Sequence, residues 1–154
     1  MITTGPTRRD VLSLALSGSA VAIAACLFPS RAWATPADAK AALEKLGPGT
    51  PQPGKITINA PEIAENGNTV PIVLDVDSPM TQQSYVKTIM MVADGNPLPG
   101  VARFDLSPVN ARAHVEFRIR LAQTQNITAV ALMSDGSMWT ATKNVKVTIG
   151  GCGG

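Results

Sequence analysis

The 154-residue sequence predicts an all-β fold: an immunoglobulin-like antiparallel β-sandwich with a short N-terminal helix and a flexible C-terminal arm. Three features carry that expectation. From residue 55 onward the chain holds seven short runs rich in β-branched residues, separated by turn residues at the spacing usual in a sandwich. Several runs alternate apolar and polar side chains, the period of a strand with one buried and one wet face. No helical period of useful length interrupts them.

Residues 1–34 have the layout of an export signal. Arg8 and Arg9 precede residues 11–28, which carry no charge, and Ala32-Trp33-Ala34 places small residues where a leader peptidase reads, so cleavage is expected after Ala34. The order Thr7-Arg8-Arg9-Asp10-Val11-Leu12 resembles a twin-arginine signal, although Asp10-Val11-Leu12-Ser13 stands where that pattern favours a Phe-Leu-Lys ending. Two other uses of the segment stand beside this one. The 18 uncharged residues are close to the minimum for a membrane anchor, and Ile23-Ala24-Ala25-Cys26 is similar to a lipobox, whose cysteine is acylated.

Residues 35–54 read as a short helix and a linker. Thr35 can cap the helix, Pro36 suits its first turn, Ala39, Ala42, Leu43 and Leu46 line one side, and Gly47-Pro48 ends it. The Gly- and Pro-rich residues 49–54 form the linker. The sandwich then occupies residues 55–149, with strands expected at 56–59, 69–76, 86–93, 102–106, 113–120, 127–133 and 138–149, the last long enough for two. Val115, Phe117 and Ile119 alternate with Glu116, Arg118 and Arg120, as Val145, Val147 and Ile149 do with Lys146 and Thr148. Asn66-Gly67-Asn68, Asp94-Gly95-Asn96-Pro97 and Asp135-Gly136-Ser137 supply residues tolerant of positive φ between the runs.

Composition excludes several functions. The excess of 13 basic over 11 acidic residues is too small and dilute for a nucleic-acid footprint, and 45% apolar residues argue against disorder throughout. Residues 1–34 hold three of the basic residues and one of the acidic ones, so the remaining 120 residues are formally neutral. They also hold Cys26, which leaves Cys152 as the single cysteine of the exported body. An unpaired thiol in an oxidising compartment calls for an explanation.

No nucleophile is paired with a base by a recognisable motif, and His114, the only histidine, opens a strand as a surface or edge residue. The carboxylates Glu62, Glu65, Asp75, Asp77, Asp94, Asp105 and Asp135 are scattered and read as solvating or turn-forming groups. Met80, Met90, Met91, Met133 and Met138 have the thioethers that suit Cu(I), but Met90 and Met91 face opposite sides of one strand, which favours core filling.

The tail is different. A well-patterned strand runs straight into Gly150-Gly151-Cys152-Gly153-Gly154, where four glycines leave nothing to pack and favour a mobile arm. Extended, the three steps from Ile149 to Cys152 reach about 10 Å, on an arm hardly thicker than backbone. Such an arm can carry a thiol down a narrow channel of another protein. With no Lys, Arg, His or helix N-terminus nearby in sequence, the thiol must be activated by whichever protein receives it.

The run Val145-Lys146-Val147-Thr148-Ile149-Gly150-Gly151-Cys152-Gly153-Gly154 resembles the C-terminus of the SoxY family, the substrate carriers of bacterial sulfur oxidation. The resemblance extends to the paired-arginine signal, short helix and all-β body. It implies that Cys152 bears sulfur intermediates covalently and that Gly150, Gly151, Gly153 and Gly154 form the arm. It implies a carrier without cofactor, in which a SoxAX-type haem enzyme couples thiosulfate to Cys152 as an S-thiosulfonate. A SoxB-like hydrolase then releases sulfate to leave a persulfide, and SoxCD, where present, oxidises the remaining sulfur. The implied companion is SoxZ, in a periplasmic heterodimer that travels by the twin-arginine route. Two other readings remain at this stage: a periplasmic copper-binding β module using Met residues and His114, and a structural β domain that links subunits through Cys152.

Overall fold

The computed structural model describes residues 35–47 and 49–150. The expected export signal, with its expected cleavage after Ala34, and Gly151, Cys152, Gly153 and Gly154 lie outside the described residues. Helix α1 spans Pro36–Glu44 and is capped as its sequence predicts. Asp38 N–H donates to Thr35 Oγ1 at 3.3 Å and Thr35 N–H donates to Asp38 Oδ2 at 2.7 Å, a reciprocal capping box. The Thr35 N–H and then the Thr35 hydroxyl, both donating to Asp38 Oδ2, hold the Asp38 carboxyl below its usual pKa.

Nine strands follow: β1 Gln52–Pro53, β2 Ile56–Asn59, β3 Ile63–Asn66, β4 Val70–Val76, β5 Val86–Ala93, β6 Gly100–Asp105, β7 Ala113–Ile119, β8 Gln125–Met133 and β9 Met138–Ile149. One sheet has the order β2-β4-β7, and the larger has the order β1-β9-β8-β5-β6 with β3 also on β9. The main path of both sheets is antiparallel. The two exceptions share one edge, where β1 and β3 each pair with β9 in parallel, β1 at Trp139 and Thr140 and β3 along its last third. The chain therefore passes between the sheets at each step from β1 to β4. Lys143 closes part of the β9 edge left between them by donating from Nζ to the Ala60 carbonyl at 2.7 Å.

The core lies between the sheets. Val70, Ile72 and Leu74 of β4 meet Ile89 and Met91 of β5, Ile127, Ala129 and Ala131 of β8, and Val145 of β9 in one cluster. Phe104 and Phe117 close its rim with ring centroids 4.9 Å apart. On the other face of the large sheet, Leu43 of α1 and Leu46 just beyond it cover Met90, Val130, Leu132 and Met138. The apolar side read for the helix thus has a partner, which makes a third layer.

Four details depart from the sequence expectation. Residues 49–54, expected as a linker, contain β1. β3 was not anticipated, because Ile63-Ala64-Glu65-Asn66 buries only Ala64 and shows no alternation to read. Ile149, expected on the buried side of β9, is 68% exposed because the strand outruns the core beneath it. Positive φ occurs at only one of the three expected turns, at Gly136. At the Asn66 turn, Asn66 Oδ1 instead accepts the Asn68 N–H at 2.9 Å, so a side chain closes the turn in place of a left-handed residue.

Candidate functional site: the root of the C-terminal arm

The end of β9 is held from both sides. On one side Gly67 N–H donates to the Ile149 carbonyl at 2.9 Å and Thr148 Oγ1 donates to the Glu65 carbonyl at 2.9 Å. On the other, Val147 N–H donates to Thr124 Oγ1 at 3.0 Å. Gly150, the last described residue, lies so close to the β7–β8 loop that an added Cβ would run into the Ala122 carbonyl oxygen. Its sequence reading was flexibility. The structure adds a second reason for glycine here, close backbone approach.

That loop is itself pinned by two amides. Asn96 Oδ1 accepts from Ala122 N–H at 3.0 Å and from Gln125 Nε2 at 2.9 Å, while Asn96 Nδ2 donates to the Arg120 carbonyl at 2.8 Å. Gln125, buried at 4% exposure, accepts the Gly95 N–H at 2.7 Å and donates to the Gln123 carbonyl at 3.1 Å. Each polar atom in this small network is used, which is what keeps a buried amide from costing stability. Leu121 N–H adds a bond to the Gly67 carbonyl at 2.8 Å. The β3–β4, β5–β6 and β7–β8 connections and the end of β9 are thereby tied into one platform around Gly150.

Asn96 and Gln125 were not singled out from the sequence. Asn96 was read as a turn residue, and Gln125 precedes the expected strand. The available signal was an amide at the head of an apolar run, which needs a partner if buried.

The other candidate residues are elsewhere. His114 lies near the end of β7 remote from Leu121, on the wet face of the small sheet, with Nδ1 2.7 Å from Asp75 and Nε2 3.2 Å from Glu116. Those two carboxylates, Asp75 first, raise its pKa above the ordinary imidazole value. Met80, Met91 and Met133 fill the main core, whereas Met138 and Met90 belong to the cluster under α1. The Met80 thioether accepts the Val86 N–H at 3.4 Å. The methionines are thus used in packing on two sides of a sheet and do not converge on His114. Among the described residues no group of three or more His, Cys, Asp or Glu is placed to hold a metal ion. Among them, too, no helix is long and apolar enough to cross a membrane.

A family model for the sulfur oxidation protein SoxY matches residues 42–152, a span that includes Cys152. The sulfur carrier protein SoxY of Chlorobium limicola f. thiosulfatophilum is 33% identical in sequence and superposes with a TM-score of 0.62, over 73% of this chain and 98% of that one. The chain belongs to the SoxY family. It is accordingly a carrier of sulfur oxidation and not a catalytic enzyme. The SoxY fold is shared more widely. The superoxide reductase (neelaredoxin) of Ignicoccus hospitalis has a TM-score of 0.54 at 21% identity, covering 78% of this chain and 98% of that one. The superoxide reductase of Nanoarchaeum equitans has a TM-score of 0.53 at 10% identity, covering 62% of this chain and 100% of that one. At such identities the likeness concerns the sandwich alone. Comparison with curated protein sequences returned no match.

Proposed function

We propose that the protein carries the sulfur intermediates of thiosulfate oxidation covalently on Cys152 and presents them to a succession of enzymes in the periplasm. The observation that carries this reading is the position of the cysteine: two residues beyond a glycine packed on a rigid platform, inside the span that matches the SoxY family. Oxidative coupling joins thiosulfate to the thiol as Cys152–S–S–SO3⁻, releasing one proton and passing two electrons to a SoxAX-type haem enzyme. Water then cleaves the terminal S–S bond on a SoxB-like hydrolase, giving sulfate, a proton and the persulfide, a known cysteine state. Where SoxCD is present, three waters and the loss of six electrons and six protons turn the persulfide anion into a cysteine S-sulfonate, and hydrolysis returns the thiol with a second sulfate.

In this reading SoxZ is the heterodimer partner, and the pair leaves the cytoplasm folded by the twin-arginine route, with cleavage after Ala34. Cells carrying Cys152→Ser should lose thiosulfate-dependent sulfate production completely while keeping the folded protein. Retained sulfate production in those cells would overturn the reading, and secretion of the pair after Arg8→Lys and Arg9→Lys together would count against the route.

A further inference from the structure

Asn66-Gly67 is the one Asn-Gly pair in the sequence, and it lies beside the end of β9. Such a pair is chemically labile. The backbone nitrogen of the following residue attacks the Asn side-chain carbonyl carbon, and glycine, having no Cβ, hinders that attack least. Asn66 is exposed, so water reaches its amide, whereas Gly67 is buried with both backbone groups engaged. The Gly67 N–H donates to the Ile149 carbonyl at 2.9 Å, and the Gly67 carbonyl accepts the Leu121 N–H at 2.8 Å. Asn66 stands opposite Ile149 in the β3–β9 register, and its Oδ1 accepts the Asn68 N–H at 2.9 Å.

Before the ring can close, the Gly67 nitrogen must lose its proton, and Asn66 must leave the extended backbone of β3 so that this nitrogen turns toward its side chain. Both steps need the Gly67 to Ile149 bond to open. Attack and hydrogen exchange at Gly67 therefore share one gate. The Asp94-Gly95 and Asp135-Gly136 pairs are held in the same way, Gly95 N–H donating to Gln125 Oε1 at 2.7 Å and Gly136 N–H to the Met133 carbonyl at 3.1 Å. Their carboxylates are also poorer electrophiles than an amide, and Asp135 is kept ionised by the Ser137 hydroxyl and then the Ser137 N–H. Asn66 is thus the reactive member of the three.

We propose that Asn66 is a site of spontaneous deamidation that the seated end of β9 suppresses, so that molecules whose arm root has come loose are converted irreversibly. The bond from the Gly67 nitrogen to Asn66 Cγ forms as the Cγ–Nδ2 bond breaks, and the Gly67 proton leaves with the amide nitrogen as ammonia. Water then opens the succinimide at either carbonyl, giving aspartate or isoaspartate at position 66 with no change of oxidation state. Isoaspartate adds a methylene to the backbone between Glu65 and Gly67, which moves Gly67 out of register with both Ile149 and Leu121. The root then cannot reseat. The reaction needs nothing from Cys152, so it stands or falls independently of the carrier chemistry.

The test follows the full mature protein kept warm in mildly alkaline buffer. Peptide mass spectrometry reads the gain of about 1 Da at position 66, and an isoaspartyl methyltransferase with labelled S-adenosylmethionine reads isoaspartate. Folded wild type should deamidate at Asn66 at least about tenfold more slowly than the same protein in urea. Gly150→Ala, whose added Cβ meets the Ala122 carbonyl oxygen, should deamidate about tenfold faster than wild type, by the same factor as its Gly67 amide exchange rises. Gly100→Ala should match wild type. Should Gly150→Ala not fold, Thr148→Val takes its place: it removes the hydroxyl bond to the Glu65 carbonyl and should raise both rates about fivefold. Equal rates in folded and urea-unfolded protein, or no reaction in urea, would overturn the proposal. So would faster Gly67 exchange without faster deamidation, or isoaspartate-bearing protein that keeps its Gly67 amide protected.

Discussion

Replacing Gly150 by alanine should destabilise the whole sandwich end, although the residue is exposed and sits at the edge of a glycine-rich tail. The added Cβ meets the carbonyl oxygen of Ala122, a backbone atom, so no side-chain rotation relieves the clash. The loop cannot easily withdraw either, because Ala122 N–H is held by Asn96 Oδ1 and the Arg120 carbonyl by Asn96 Nδ2. The strand must yield instead, with loss of the Gly67 to Ile149 and Val147 to Thr124 bonds. Overpacking of this kind costs about 1–3 kcal/mol. For a body of this size that corresponds to a fall in Tm of roughly 4–15 °C. Thermal unfolding of Gly150→Ala should show it, together with faster hydrogen exchange at the Gly67 and Val147 amides. Gly100→Ala is the control, because an added Cβ there meets nothing within 4 Å. If Gly150→Ala unfolds like Gly100→Ala with both amides still protected, the anchored arm root is refuted.

Further outcomes follow from the same geometry. Asn96→Ala removes the partners of the Ala122 N–H and the Arg120 carbonyl and one of the two acceptors of Gln125 Nε2, and should lower urea-unfolding stability by about 1–3 kcal/mol. Leu46→Ala empties the small cluster with Val130 and Met138 and should cost about 2–3 kcal/mol by the same measure. His114 holds its proton more tightly in the folded state because of Asp75 and then Glu116, so its stabilising contribution is complete below the unfolded value of 6.5 and is lost as pH rises through the higher folded value. Asp105, held down by Arg103 and Thr88, and Asp38 and Asp135, held down by their local donors, contribute above about 3.8 and lose that contribution as pH falls through their lowered folded values. The Tm should therefore peak in mildly acid buffer, and His114→Gln should flatten its alkaline limb. A Tm in the parent that rises from pH 6 to 8 would contradict the imidazole assignment.

The parts of the fold legible in sequence were those set by local pattern. The expected limits of β2, β5 and β9 coincide with the observed Ile56–Asn59, Val86–Ala93 and Met138–Ile149, because each run is bounded by turn chemistry and carries its own apolar face. The Thr35 cap was legible for the same reason. β1 and β3 were not, since two residues ending in Pro53 and a run with one buried alanine become strands only because the edge of β9 is there to receive them. The site divides in the same way. Cys152 and its glycines stand out in composition, but the platform depends on Asn96 meeting residues 24 and more positions away, a tertiary fact without local signal. Ile149 shows the limit of alternation, which assigns a face but not whether the core extends beneath it.

The most direct test of the central claim is intact-mass analysis of the mature protein purified without reductant from cells oxidising thiosulfate. The account predicts a mature N-terminus at Thr35 and a mixture of forms in which Cys152 carries an added sulfur atom or a thiosulfate-derived group, all removed by reductant and all absent from Cys152→Ser. Cys152 found only as free thiol or as an interchain disulfide during turnover would contradict it.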